Sequence, residues 1–248
     1  MQVITLISGK GGVGKTTLTS NLAIALSQRS KRVLVIDLDP QNAVRHHLGM
    51  DPNDDAGLVR EGIFPEVIFE SPFGVDFIPF GRVTEEELLE FEAGLEARPT
   101  WVATALQGLH SLDYDYVLLD TPPGATVYLP QALNAAARAL IVVLTDAASY
   151  SSLRKILKLL AEYKKDPANK VAMTHILLNQ MREDSELAQQ VRAAMMDSYG
   201  SKMAPMVIHR DALVPEALAY ERSVLQYDPD AQASRDIQHL ADWLASRN

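Results

Sequence analysis

The chain has 248 residues, 47% of them hydrophobic, no cysteine, and a formal net charge of −9 at pH 7. That is apolar material for a large α/β core. The acidic balance argues against a surface that coats nucleic acid, and the lack of cysteine excludes a disulfide framework, a cysteine nucleophile and a thiolate-ligated iron–sulfur cluster. No apolar stretch approaches the length of a membrane span. No signal peptide is visible, because the apolar start runs straight into a glycine-rich loop. A soluble, cytoplasmic protein is expected, without repeats or low-complexity segments.

Val3-Ile4-Thr5-Leu6-Ile7 reads as a buried strand. It leads into Ser8-Gly9-Lys10-Gly11-Gly12-Val13-Gly14-Lys15-Thr16-Thr17. This fits the phosphate-loop pattern G-x-x-x-x-G-K-[ST], with Gly9, Gly14, Lys15 and Thr16 at the fixed positions. Leu18, Leu22, Ala25 and Leu26 follow at helical spacing. Glycines admit the turns that point successive backbone N–H groups at phosphate oxygens. The helix start adds free N–H groups and the positive end of its dipole. Gly9, Lys10, Gly11, Gly12, Val13, Gly14, Lys15, Thr16 and Thr17 are therefore the expected nucleotide-binding residues. Lys15 is assigned to the β- and γ-phosphates, the Thr16 hydroxyl to Mg²⁺ directly, and Thr17 to the α-phosphate.

Lys10 is a second lysine, directly after the first glycine. Taken alone, it is one more phosphate ligand or a solvated charge. With it, the loop resembles the deviant Walker A family, the MinD/ParA-like ATPases, whose pattern is K-G-G-x-G-K-[ST]. The resemblance covers essentially the whole chain. It implies a single three-layer α/β domain over residues 1–248, of the P-loop NTPase type, with a mostly parallel twisted sheet flanked by helices on both faces. It also implies ATP and Mg²⁺ as cofactors, slow ATP hydrolysis, and a homodimer formed with ATP, in which Lys10 reaches the partner's nucleotide.

Val33-Leu34-Val35-Ile36-Asp37 is a continuous apolar run, typical of a parallel strand covered on both faces. It ends in Asp37-Leu38-Asp39-Pro40-Gln41-Asn42, at the strand end where α/β sheets collect ligands. By resemblance this is switch I, with Asp37 in the outer shell of the metal and Asp39 positioning the attacking water. The competing reading of Asp39 is a polar strand cap. Residues 43–72 carry little signal. Arg45, His46 and His47 read as a small solvated basic cluster, since adjacent helical histidines point apart.

Val75 to Pro79 alternates like a strand. Thr84 and Glu87 have capping-box spacing, and the glutamates around them suit a solvated helix start better than a metal site. Residues 97–112 suggest one helix with Trp101, Ala105 and Leu109 near one face. Tyr114 to Asp120 is a second buried strand, shaped like a Walker B segment. By resemblance Asp120 holds a Mg²⁺-bound water, and Gly124, in the switch II stretch Asp120-Thr121-Pro122-Pro123-Gly124, donates its N–H to the γ-phosphate.

A helix from about Tyr128 to Ala137 precedes the strand Ala139–Leu144. Leu153, Ile156, Leu157 and Leu160 then form an apolar helix face, with Arg154, Lys155, Lys158, Lys164 and Lys165 making the most basic stretch of the chain. A solvated helix face is favoured over a DNA-binding patch, given the acidic total. Met173 to Leu178 reads as a strand ending at Asn179. The family places a base-reading amide there, while a turn-forming asparagine fits equally. Residues 184–199 form an amphipathic helix and 205–208 a short strand; the purine-flanking loop lies near His209, itself expected to be structural. The final helix, 231–246, mixes Arg235, Asp236, His239 and Asp242 opposite its apolar face. That is not the basic face of a membrane-targeting helix, and a docked core helix with Trp243 at its edge is expected.

Two stretches resemble a narrower group. Ile78-Pro79-Phe80-Gly81 with Glu85-Glu86, and Pro205-Met206-Val207-Ile208-His209-Arg210-Asp211, look like BcsQ, the MinD-like family of bacterial cellulose-synthesis operons. Partition ATPases usually have proline where His209 stands. The resemblance implies a regulatory or localisation factor with partners in the cellulose synthase and secretion complex, at the inner face of the membrane. The alternative is a ParA-type partition ATPase binding nonspecific DNA through Lys155 and Lys158, which the net charge disfavours. No separate catalytic constellation supports a small-molecule ligase or amidase.

Overall fold

A computed structural model describes residues 1–246. In chain order the elements are β1 (Gln2–Ile7), α1 (Lys15–Ser27), β2 (Val33–Asp37), α2 (Val44–His47), α3 (Leu58–Glu61), β3 (Phe69–Glu70), β4 (Asp76–Ile78), α4 (Glu85–Ala97), α5 (Trp101–Gly108) and β5 (Tyr116–Asp120). They continue as α6 (Tyr128–Ala135), β6 (Arg138–Leu144), α7 (Ala147–Tyr163), β7 (Met173–Met181), α8 (Glu186–Tyr199), β8 (Met203–His209), α9 (Leu213–Ala219), α10 (Val224–Tyr227) and α11 (Gln232–Ala245).

The strands form one eight-stranded sheet in the order β3-β4-β2-β5-β1-β6-β7-β8. Every pairing is parallel except β3 with β4. Each central strand is apolar on both sides because both sides are covered. Ile4, Leu6, Val33 and Val35 pack with residues of α1 and α11. Val3, Ile7, Leu34 and Ile36 pack with residues of α5, α6 and α7. This is the expected three-layer α/β fold with helices on both faces. Period-two alternation, hidden in the sequence by uniform hydrophobicity, thus separates two cores.

The topology positions the site. β2, β5 and β1 are adjacent, with Asp37 opposite Asp120 and Leu6 opposite Asp120 in register. The ends of β1, β2 and β5 therefore bring the phosphate loop and two aspartates to one edge of the sheet, where ligands bind in such folds.

Some boundaries differ from the sequence reading. The single helix expected over 97–112 is broken: α4 ends at Ala97, α5 begins at Trp101, and a 3-10 turn covers His110–Leu112. Pro99 is the cause, since it disfavours helical backbone at Arg98, which stands at φ −133°. Trp101 is half-buried, edge-on to Phe91 at 5.5 Å. β7 runs past Asn179 to Met181, with Gln180 at φ 54° and a register irregularity against β8. The weak stretch 43–72 holds only two four-residue helices, a 3-10 turn and the two-residue strand β3. At the opposite edge β8 carries the exposed Pro205. The final helix docks as expected, with Trp243 edge-on to His175 at 4.8 Å.

The capping box of α4 is complete. Glu87 N–H donates to Thr84 Oγ1 at 3.3 Å, and Thr84 N–H to Glu87 Oε2 at 2.7 Å. Arg60 adds two bonds to the same carboxylate, at 2.8 and 3.0 Å. Together with the Thr84 N–H, Arg60 lowers the Glu87 pKa to about 2. A folded-state pKa below the unfolded value means that this carboxylate's contribution is present above the ordinary glutamate range and fades as pH falls toward about 2. Thr84→Ala should lower unfolding free energy by about 1 kcal/mol in urea titrations at neutral pH. Acid should weaken wild type and variant alike as Glu87 protonates, because alanine keeps the backbone N–H that this carboxylate holds.

Candidate nucleotide site

The loop between β1 and α1 has the backbone its glycines permit. Gly12 and Gly14 stand at φ 74° and 81°, and Gly14 is the left-handed N-cap of α1. A Cβ on Gly9 would lie 2.9 Å from Ser152 of α7, so the loop packs tightly on that helix. A Cβ on Gly14 would lie 2.8 Å from Asn179 Nδ2. Gly11 and Val13 complete the arc, Gly11 exposed and Val13 buried in the core beneath.

Asp120 is the centre of the site. It is fully buried at the end of β5 and accepts three bonds: from Lys15 Nζ at 3.0 Å, Thr16 Oγ1 at 2.6 Å and Thr19 Oγ1 at 2.9 Å. Lys15 is thus folded onto Asp120. Thr19 gives no signal in the sequence, since a threonine one turn into a helix carries no motif. The Gly124 N–H, expected on a γ-phosphate, donates here to the Ser8 carbonyl at 2.8 Å, so switch II is tied to the phosphate loop.

Asp37 lies beside Asp120 and is fully buried. Its Oδ1 accepts the Asp39 N–H at 2.9 Å and its Oδ2 the Val44 N–H at 3.1 Å. Burial first, then the negative Asp120, push its pKa well above the carboxylate range. Asp39 is 8% exposed and accepts the Gln41 N–H at 3.0 Å. Burial raises its pKa too, while the Gln41 N–H and the Lys15 charge oppose the rise. Asp37 therefore holds the backbone of switch I, and Asp39 turns that segment at its first step. The hard oxygens of Thr16 in the first turn of α1 and of Asp37 and Asp120 at neighbouring strand ends are of the donor type that suits Mg²⁺ and its waters.

Lys10 lies at the rim. Its Nζ is 2.9 and 3.2 Å from the two carboxylate oxygens of Asp146 in the same chain. The two side chains are 32% and 40% exposed, so solvent screens the pair to at most about 1 kcal/mol. Asp146 also caps α7, accepting the Ser149 N–H at 2.6 Å. Lys10 draws down the Asp146 pKa against the opposing effect of burial, helped by that N–H.

On the other flank, a cavity of about 490 Å³ opens beside Gly14, Thr17 and Leu18, closed by Asn179, Ile208 and Pro215. Asn179 Nδ2 donates to the Val13 carbonyl at 2.7 Å, which leaves its Oδ1 as an acceptor. His209 sits at the cavity wall, its Nδ1 2.8 Å from Asp236 Oδ2 of α11.

The basic cluster after switch I is not solvated as a whole. His46 is exposed, but Arg45 is buried and His47 half-buried. Residues 44–47 form only one turn of helix, which turns Arg45 inward and sets His47 Nε2 3.4 Å from Thr17 Oγ1. Burial lowers the His47 pKa to about 4, so it is neutral near pH 7.

A family model described as cellulose biosynthesis protein BcsQ matches residues 1–244. The chromosome-partitioning ATPase Soj of Thermus thermophilus is 32% identical over 98% of this chain and 95% of its own length. The cellulose biosynthesis protein BcsQ of Escherichia coli K12 is 29% identical over 98% and 94%. Among solved structures, the septum site-determining protein MinD of Pyrococcus horikoshii, complexed with Mg-ADP, superposes with a TM-score of 0.76 at 24% identity, covering 98% of this chain and 95% of that one. That last likeness is one of fold.

Two loop glycines should respond differently to alanine. At Gly12 only the positive φ is strained, because a Cβ there meets nothing within 4 Å; Gly12→Ala should cost about 1 kcal/mol. Gly14→Ala adds the contact with Asn179 and should cost more, both in denaturant stability and in nucleotide affinity measured by calorimetry.

Proposed function

The chain belongs to the BcsQ family, within the MinD/ParA group of P-loop ATPases, and on that premise we propose that it is an ATP-dependent dimerisation switch serving bacterial cellulose synthesis and secretion. The observation that carries this reading is the pair of lysines. Lys15 is buried against Asp120, while Lys10 is held at the rim only by a part-exposed ion pair with Asp146.

In this mechanism Lys15 moves from Asp120 to the β- and γ-phosphates. The N–H groups of Gly9 to Thr17 cradle the phosphate chain, and the Asn179 Oδ1 accepts from the base in the adjoining cavity. Bound Mg²⁺ supplies charge neutralisation for phosphoryl transfer. The Thr16 hydroxyl would hold the ion directly, and Asp37 and Asp120 would hold it from its outer shell. Asp39 orients the attacking water, and slow hydrolysis resets the switch. Lys10 leaves Asp146 and reaches the nucleotide of a second copy. ATP acts as a switch only because the dimer binds it more tightly than the monomer does. The two states would then present different surfaces to components of the cellulose synthase complex.

The identity to Soj supports a second reading, a partition ATPase. Arg154, Lys155 and Lys158 are exposed together on α7 and would meet DNA phosphates. The net charge of −9 weighs against it. ATP-dependent, salt-sensitive DNA retention would favour that role over the cellulose one.

Light scattering should give a monomer with ADP·Mg²⁺ and a dimer with a nonhydrolysable ATP analogue. Lys10→Ala should keep nucleotide binding and lose the dimer, whereas Lys15→Ala should lose both. Asp39→Ala should give a dimer that persists with ATP and releases no phosphate. Wild-type phosphate release by that variant would remove Asp39 from the mechanism.

A further inference from the structure

Arg45 takes no part in the phosphate site, yet it is only 2% exposed. Its Nη2 donates to the Asp51 carbonyl at 2.9 Å, while Nε and Nη1 are buried with no hydrogen-bond partner among the described residues. A guanidinium keeps its charge in any protein environment. Unlike a lysine, it does not escape burial by losing a proton, and an unpaired buried charge is strongly destabilising. Asn42, nearby in the same segment, is 6% exposed at φ 51°, and both Nδ2 and Oδ1 are likewise buried without partners among the described residues. Buried polar groups are nearly always satisfied, so two such residues together call for a ligand.

Both line one cleft of about 450 Å³, between residues 40–46 and 81–88. Arg82 and Glu85, both exposed, stand on its far wall, and Arg82 Nη1 lies 3.3 Å from Asp55 Oδ1. His46 is exposed beside them.

We propose that this cleft binds a carboxylate, anchored by the Arg45 guanidinium with the Asn42 amide beside it. The local charge selects the class of ligand. Arg45 and Arg82 contribute two cations; Asp55 largely offsets one, and Glu85 adds a negative charge at the wall. A monoanion matches what remains, whereas a phosphate dianion would add a second negative charge to a cleft whose wall already carries Glu85. Arg45 donates in the planar geometry that carboxylates accept, and Asn42 Nδ2 supplies a further donor. The carboxylate comes either from a free organic acid or from an Asp or Glu side chain on a protein segment. Arg45 follows Val44, whose N–H is held by Asp37, so an occupant bears on switch I itself. The assignment goes beyond the nucleotide switch and does not depend on hydrolysis.

The test reads the Arg45 Nε–H resonance by ¹H–¹⁵N NMR on the full chain, assigned by its loss in Arg45→Lys. The probes are acetate, a blocked Gly-Glu-Gly peptide and inorganic phosphate, each against chloride at matched ionic strength. A saturable downfield shift with acetate or the peptide is expected, and the tighter of the two identifies the source. Arg82→Ala should weaken saturation, and Glu85→Gln tighten it, by about two- to fivefold. The absence of a saturable shift overturns the proposal. So does phosphate saturating below both carboxylates, or saturation unmoved in both variants.

Discussion

One fully buried carboxylate holds the site together. Asp120 gathers an ammonium and two hydroxyls from the first turns of α1 onto the end of β5. Burying it without those donors would be strongly unfavourable. With them, the phosphate loop is fixed to the sheet before any nucleotide arrives. On the proposed mechanism Lys15 would exchange Asp120 for a phosphate and a divalent cation would take its place, which would link cation and nucleotide at one carboxylate.

The two switch segments are wired to this centre by backbone. Asp37 holds Asp39 and Val44 by their N–H groups, and Gly124 hands its N–H to Ser8. Neither segment depends on a long flexible side chain. These contacts all begin at main-chain N–H groups, which have less slack than a surface ion pair such as Lys10–Asp146.

Much of this was legible in the sequence. The loop, the strand-end aspartates and the capping box each have local chemistry that fixes their conformation, and β1, β2 and β5 announce themselves as apolar runs ending in polar residues. What stayed hidden depends on contacts between distant segments. Thr19 has no motif, and nothing local marks Asp146 as the partner of Lys10; these contacts arise because β5 and α7 bring a carboxylate to α1 or to the loop. Arg45 read as solvated because arginine usually is, and a single turn of helix reversed that. The break at Pro99 was visible as a residue but overridden by the apolar spacing around it. Asn179 was placed at a strand end, whereas the strand bulges at Gln180 and continues, which is what aims the Asn179 amide at the loop carbonyl.

The ends of the sheet carry a consequence of their own. One border strand, β3, is only two residues long, and the other, β8, bears an exposed proline and an irregular register. Unpaired strand borders invite cross-chain β pairing, and brevity, proline and bulges are the devices that block it. Two copies of this chain thus have little means of extending one sheet into another. Sheet-extended aggregates are disfavoured even when copies are crowded together.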